Sequence, residues 1–239
     1  MNGTVEVIPL TNLSLSFVPV ALVLVVLRRW TGEAPTATYG VGRMVVQLLL
    51  IGYVLTFIFG SEQPVVILAT LCVMLLLASW IALRPIAAAR AVVYPKVLLS
   101  ITVGGLSTLA LVTQGVLAVD RWYQGSVVIP LAGMIFAVSM NTVSLAAERY
   151  EAETRRGSVH AEARHIALRS ALIPQINSLF AVGLVSFPGM MTGQILSGVG
   201  PLVAVRYQIM VMSMLFGAAG ISTACYLSLQ KPDPIPLQK

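Results

Sequence analysis

Apolar runs about the length of a bilayer crossing recur along this chain, separated by short polar stretches. Seven reach spanning length: 7–27, 41–60, 64–83, 97–119, 127–147, 174–190 and 202–227. A membrane helix needs about 20 mostly apolar residues. The pattern therefore predicts an all-α polytopic membrane protein, a single transmembrane domain over 1–239 with a short flexible tail at 231–239. Two stretches depart from it. Residues 148–172 are densely charged, and 186–208 are apolar but repeatedly broken by proline and glycine.

Composition agrees: 57% of residues are hydrophobic, 10% are charged and mean hydropathy is +0.89, which excludes an ordinary soluble domain. Charge distribution sets an expected orientation. Of the 15 basic residues, all but Arg121 and Arg206 fall on one side of the seven-span scheme. Basic loops stay in the cytoplasm, so the expected topology is N-out and C-in. Arg28 and Arg29 follow the first span and none precedes it, the reverse of a cleavable signal sequence. This bias accounts for the net charge of +6 without nucleic acid. Cys72 and Cys225 lie inside spans and offer neither a disulfide framework nor metal-ligand spacing.

The charged stretch reads as a helical hairpin. No breaker interrupts the fifth span until Gly157, so one helix is expected from about 127 to 156, on the order of 45 Å long. Gly157 suits a left-handed C-terminal cap and Ser158 the N-cap of a second helix over 159–172. Ala163, Ile166, Ala167 and Ala171 would share its apolar side, and Pro174 permits a kink or restart. Two readings stand at this point: a solvated basic loop, or an element that receives force from a soluble partner. His160 and His165, five apart, do not share a helical face and read as surface residues.

The broken stretch, SFPGMMTGQILSGVGPLVAVRYQ, carries Pro188, Gly189, Gly193, Gly198, Gly200 and Pro201. In hydrocarbon, backbone outside a helix must find partners in the protein or in a wet cavity, and such breaks lie on transport pathways. By topology it falls near the outer face, as a gate or re-entrant turn. Gln47, Asn141, Asn177, Gln194 and Gln208 are expected to face the bundle interior, either hydrogen-bonding between helices or meeting substrate. Met190 and Met191 invite a metal reading, but thioethers favour soft Cu(I) and no inward histidine or carboxylate accompanies them. The metal ligands stay unassigned. Arg206 either snorkels or pairs with Asp120 or Glu62. Ser213, Gly217, Gly220 and Ala224 form a small-residue stripe suited to a dimer seam or to packing within the protomer; Gly104, Ser107 and Thr108 offer a second.

Three segments resemble the FetB (YbbM) type permeases of bacterial ABC transporters, associated with iron export and related to plant aluminium-tolerance permeases. They are Ser139-Met140-Asn141-Thr142-Val143-Ser144-Leu145 with Glu148-Arg149, then Pro174-Gln175-Ile176-Asn177-Ser178, and most specifically 185–196 continuing to Pro201 and Val205-Arg206-Tyr207-Gln208. The resemblance implies a homodimeric permease in the bacterial inner membrane, joined to two copies of an ABC ATPase subunit. It places ATPase coupling on the hairpin without assigning single contacts; the candidates are its charged residues Glu148, Arg149, Glu151, Arg155, Arg156, Glu162, Arg164 and Arg169. It places the pathway or gate at Asn141, Pro188, Gly189, Met190, Met191, Thr192, Gly193, Gln194, Arg206 and Gln208. ATP and Mg would sit on the partner, since this chain has no GxxxxGK[ST] loop and binds no cofactor of its own.

The expected function is thus an ABC permease subunit, exporting iron or another metal or small solute. The alternative is a stand-alone secondary carrier or channel. Proton coupling there commonly uses a buried Asp, Glu or Lys, and the spans lack one. An enzyme has no support: the chain shows no HExxH, no nucleophile elbow and no acidic pair within a span, so no catalytic residue is expected.

Overall fold

A computed structural model describes residues 9–60, 63–86 and 90–230. The chain divides into two compact units, Met1–Gly60 and Ser61–Lys239. Among the described residues five helices are long and apolar enough to cross a membrane: Thr11–Trp30, Pro64–Ala82, Arg90–Val116, Gly125–Arg155 and Pro201–Ser228. Glu62 and the tail 231–239 lie outside the described residues.

The first unit is a helical hairpin. α1 (Leu10–Leu15) runs into α2 (Phe17–Trp30) with only Ser16 between them. Pro19 explains that irregularity, because it withholds the N–H that would close on Leu15. Arg28 and Arg29 occupy the last turn of α2, where they complement the helix dipole. Gly32, at φ +72°, then ends the run with its N–H on the Leu27 carbonyl at 2.9 Å. α3 (Ala34–Gly60) packs back on α2 and covers the expected second span, starting seven residues earlier than its apolar run.

The second unit is a bundle around α6. Its helices are α4 (Pro64–Ala82), α5 (Arg90–Ala110), α6 (Gly125–Arg155), α7 (His160–Ala181), α8 (Gly189–Leu196) and α9 (Pro201–Ser228). α6 packs against α4, α5, α7 and α9, and α9 also meets α5, α7 and α8. The core is built from Ile67, Val97, Ile101, Ile135, Phe136, Val143 and Leu227, all buried. α5 continues into a π-helical turn, Leu111–Val116, so the helix of the fourth expected span ends three residues before its apolar run does.

Small residues make the closest helix approach. A Cβ on Gly104 of α5 would sit 2.6 Å from the Ser222 backbone nitrogen of α9. Ser222 in turn donates to Ser139 Oγ of α6 at 3.1 Å, linking α9 to α6 through two hydroxyls beside the Gly104 contact. Gly104 and Thr108 are therefore packed inside the protomer, whereas Ser107 is exposed. The stripe on α9 is the reverse: a Cβ on Gly217 or Gly220 would meet nothing within 4 Å.

The sixth expected span, 174–190, is not one helix. α7 begins in the charged stretch, passes through Pro174 without interruption, and stops at Ala181. A tight turn, the short α8 and a second turn fill the interval before α9. The apolar run from 174 to 190 masked this, because a turn of apolar residues has no hydropathy signature.

Candidate functional site

The break starts with a type II turn. Val182 (φ −64°, ψ 130°) and Gly183 (φ +83°) occupy its central positions, and the Leu184 N–H closes on the Ala181 carbonyl at 3.3 Å. A side chain at residue 183 would be strained in this left-handed conformation, which is why glycine stands there. The Ala181 carbonyl also accepts from Val185 and Ser186, at 2.8 and 3.1 Å. The last carbonyl of α7 is thus satisfied within the turn itself.

Pro188 forms the N-cap of α8. Gly198, at φ +91°, ends that helix in a Schellman arrangement: Val199 N–H bonds the Gln194 carbonyl and Gly198 N–H the Ile195 carbonyl. Gly200 caps α9 and Pro201 takes its first position, where its missing N–H costs nothing. Pro188, Gly198, Gly200 and Pro201 are therefore turn or cap residues, whereas Gly189 and Gly193 lie within α8.

Between this turn and α9 lies a cavity of about 400 Å³. Val182, Gly183, Phe187, Pro188 and Met191 line one side, and Val205, Gln208, Ile209, Met212 and Ser213 the other. Gln208 is 6% exposed, and its Oε1 is buried with no hydrogen-bond partner. Gln194 is half-buried on α8 and also has an unpartnered Oε1.

Of the expected pathway residues, Pro188, Met191 and Gln208 meet at this cavity. Gly189, Met190, Thr192, Gly193 and Gln194 lie on α8 without lining it; Met190 is exposed and Thr192 bonds back to the Pro188 carbonyl at 3.2 Å. Asn141 does not face the bundle interior: it is exposed on α6, as are Asn177 on α7 and Gln47 on α3. The reason is rotational. Asn141 follows Ser139 and precedes Thr142 and Val143, whose sides of α6 are buried. Arg206 is exposed and makes no ion pair with Asp120 among the described residues. Residues missed from sequence include Val182, Val205, Ile209, Met212 and Ser213. Gly183 was the available signal, a glycine just past a helical run.

At the other end of α7 the charged hairpin closes on itself. Gly157 is left-handed at φ +86°, with Ser158 N–H on the Glu153 carbonyl and Gly157 N–H on that of Thr154, the expected C-terminal cap. Ser158 is not the N-cap of α7. Val159 holds that position, and the Ser158 hydroxyl instead donates to Glu153 Oε2 at 3.1 Å. Glu153 is buried and accepts from Arg149 at 2.7 Å and Arg156 at 3.1 Å, so it organises the bend. Tyr150 Oη meets His160 Nδ1 at 2.8 Å across it, and Ala163, Ala167 and Ala171 bury the facing seam; Ile166 is only half-buried. Glu151 pairs with Arg155 one turn on. Glu148, Glu162, Arg164 and Arg169 are exposed and form no ion pair among the described residues.

Among the described residues no three of His, Cys, Asp and Glu come together.

Comparison with known proteins agrees with this architecture. The model of the Uncharacterised protein family (UPF0014) matches residues 10–232. The UPF0014 membrane protein slr1647 of Synechocystis is 33% identical over 216 residues, 83% of each chain. The Probable iron export permease protein FetB of Escherichia coli is 36% identical over 214 residues, 81% of this chain and 80% of that one. The Protein ALUMINUM SENSITIVE 3 of Arabidopsis thaliana is 32% identical, covering 79% of this chain and 74% of its own. No solved structure matches. An all-helical bundle with several helices of spanning length, matched along nearly its whole extent, makes this chain a member of the UPF0014 family of membrane proteins.

Proposed function

We propose that this chain is the transmembrane permease subunit of an ABC transporter, working as a homodimer with two copies of a separate ATPase. Its cargo is iron or another metal or small solute, moved outward across the bacterial inner membrane. The observation that carries this reading is α7: one helix of 22 residues, roughly 33 Å long, with the charged hairpin at one end and the break with its cavity at the other. A rigid element joining two distant features is what coupling requires.

The hairpin suits docking because its internal charges are already committed. Glu153, Arg149, Arg156 and the Glu151–Arg155 pair hold its shape, while Glu148, Glu162, Arg164 and Arg169 remain for a partner. ATP-driven closure of the ATPase dimer would move the hairpins, and α6 and α7 would carry that displacement to the turn at Val182–Gly183. The open stripe of Ser213, Gly217, Gly220 and Ala224 supports a second copy seated on α9. The chemistry of ATP and its Mg belongs to the partner. Similarity to a probable iron export permease supports iron as a cargo.

Deleting Gly157 to Arg169 tests the assignment. The variant should still insert, yet fail to co-purify with a co-expressed ABC ATPase subunit and fail to stimulate its ATP hydrolysis. Normal stimulated hydrolysis in that deletion would sink the coupling role.

A further inference from the structure

At the hairpin end of α7 lies another cavity, of about 350 Å³. Ala161, Arg164, His165 and Leu168 of α7 line one side, and Ala224, Leu227 and Ser228 of α9 the other. Neighbouring side chains fix its depth. Lys96 Nζ donates to Gln230 Oε1 at 3.1 Å, which sets the start of the apolar part of α5 level with the end of α9. Trp80 packs edge-on against Tyr94 and carries the Arg90 guanidinium 4.6 Å over its ring. Aromatic and basic side chains gathered where apolar runs end mark a membrane–water interface. The cavity therefore opens at headgroup level.

Its charge is uncompensated. Arg164 is exposed and forms no ion pair among the described residues, and no carboxylate lines the cavity. The Ser228 hydroxyl is already given to the Ala224 carbonyl at 2.8 Å, so Arg164 and His165 are the remaining side-chain donors. Carbonyls at the end of α9 would oppose an anion, but those of Cys225, Tyr226 and Leu227 already accept from Leu229 and Gln230. Ala161 stands in the first turn of α7, so the positive end of that helix dipole borders the same rim. Leu168 and Ala224, each about one turn deeper than Arg164 and Ser228, continue the groove toward the hydrocarbon.

We propose that this cavity seats an anionic phospholipid, with Arg164 and His165 on its phosphate oxygens and an acyl chain along Leu168 and Ala224. A basic pocket between membrane helices at headgroup level suits such a lipid. Phosphatidylcholine brings the same phosphate, but the lining holds no carboxylate to receive its quaternary ammonium. A soluble phosphate would leave the apolar half of the groove unused. The assignment is independent of the permease reading, and it leaves Glu148, Glu162 and Arg169 to an ATPase.

The experiment uses the full chain in phosphatidylcholine nanodiscs without any ATPase. A phosphatidylglycerol carrying a diazirine near its headgroup is photolysed, and its adducts are mapped by mass spectrometry. Adducts should concentrate at 161–168 and 224–228. Replacing part of the phosphatidylcholine with unlabelled phosphatidylglycerol should suppress them saturably. Arg164→Gln should weaken that competition about fivefold, the effect of one basic residue at an anionic surface. Arg164→Lys should retain more of it. Ala161→Trp, which fills the cavity from an exposed position, should remove the adducts. Arg169→Gln makes the same charge change roughly a quarter turn round α7 and should leave them.

Adducts spread evenly over lipid-facing residues, equal losses in Arg164→Gln and Arg169→Gln, or labelling undiminished by Ala161→Trp in a monodisperse preparation would overturn the site. Inorganic phosphate displacing the probe as well as phosphatidylglycerol does would overturn the lipid assignment. So would Arg164→Gln that leaves the adducts intact but abolishes co-purification with a co-expressed ABC ATPase subunit, which would give the cavity to that partner.

Discussion

The two ends of α7 are built from different polar groups, ionised ones at the hairpin and neutral amides at the break. At the hairpin, a buried carboxylate gathers two guanidinium groups and a hydroxyl, and the bend is closed by a complete Schellman cap. At the break, the turn closes on the Ala181 carbonyl and α8 ends in a Schellman cap, but the amides of Gln208 and Gln194 keep unpartnered oxygens. The first arrangement holds a shape. The second leaves buried amide oxygens beside an apolar wall, with no charge to answer them. The hairpin is not free of such atoms either: Arg149 Nε is buried without a partner, although the same guanidinium meets Glu153.

That contrast gives opposite signs for polar deletions. Glu153→Ala should cost about 2–3 kcal/mol, because Arg149, Arg156 and Ser158 lose their common acceptor. Hydrogen exchange across 150–163 should show the hairpin opening locally. If protection there is unchanged, the clasp does not hold the bend. Gly157→Val should cost about 1–2 kcal/mol, since a branched residue resists the left-handed conformation. Limited proteolysis should then cut between the helices sooner than in the parent.

At the break the expected sign reverses. Gln208→Leu should raise thermal stability in detergent by about 1 kcal/mol, because it removes an unsatisfied buried group. Destabilisation would mean that the amide is satisfied in the folded protein and that the contrast fails. The smallest effect belongs to Arg206→Gln, expected within about 0.5 kcal/mol of the parent, since an exposed cation without an ion pair to Asp120 contributes little. A large loss, rescued by exchanging charges with Glu62, would restore an ion-pair role for Arg206.

Much of the hairpin was legible from local signals. The unbroken run to Gly157, the glycine itself and the small apolar face at Ala163, Ala167 and Ala171 all appear as expected. What sequence missed was Glu153, one of nine charges with nothing local to mark it as buried. At the break, the prolines and glycines located the disruption but not its start. Pro188 drew the eye, whereas the chain turns at Val182–Gly183. Pro174 looked equally disruptive, yet α7 passes through it.

The sequence by itself determined the number of residues available to cross a bilayer, the length of α6, the position of the bend and the family. These follow from hydropathy, capping and left-handed glycine, which act over a few residues. Only the tertiary structure decided that Gln208 is buried and Asn141 exposed, and that Gly104 is packed while Gly217 and Gly220 are open. The physical reason is that lipid and protein core are about equally apolar. A membrane helix therefore carries little amphipathic pattern to say which face turns inward, and close packing against particular neighbours makes that choice.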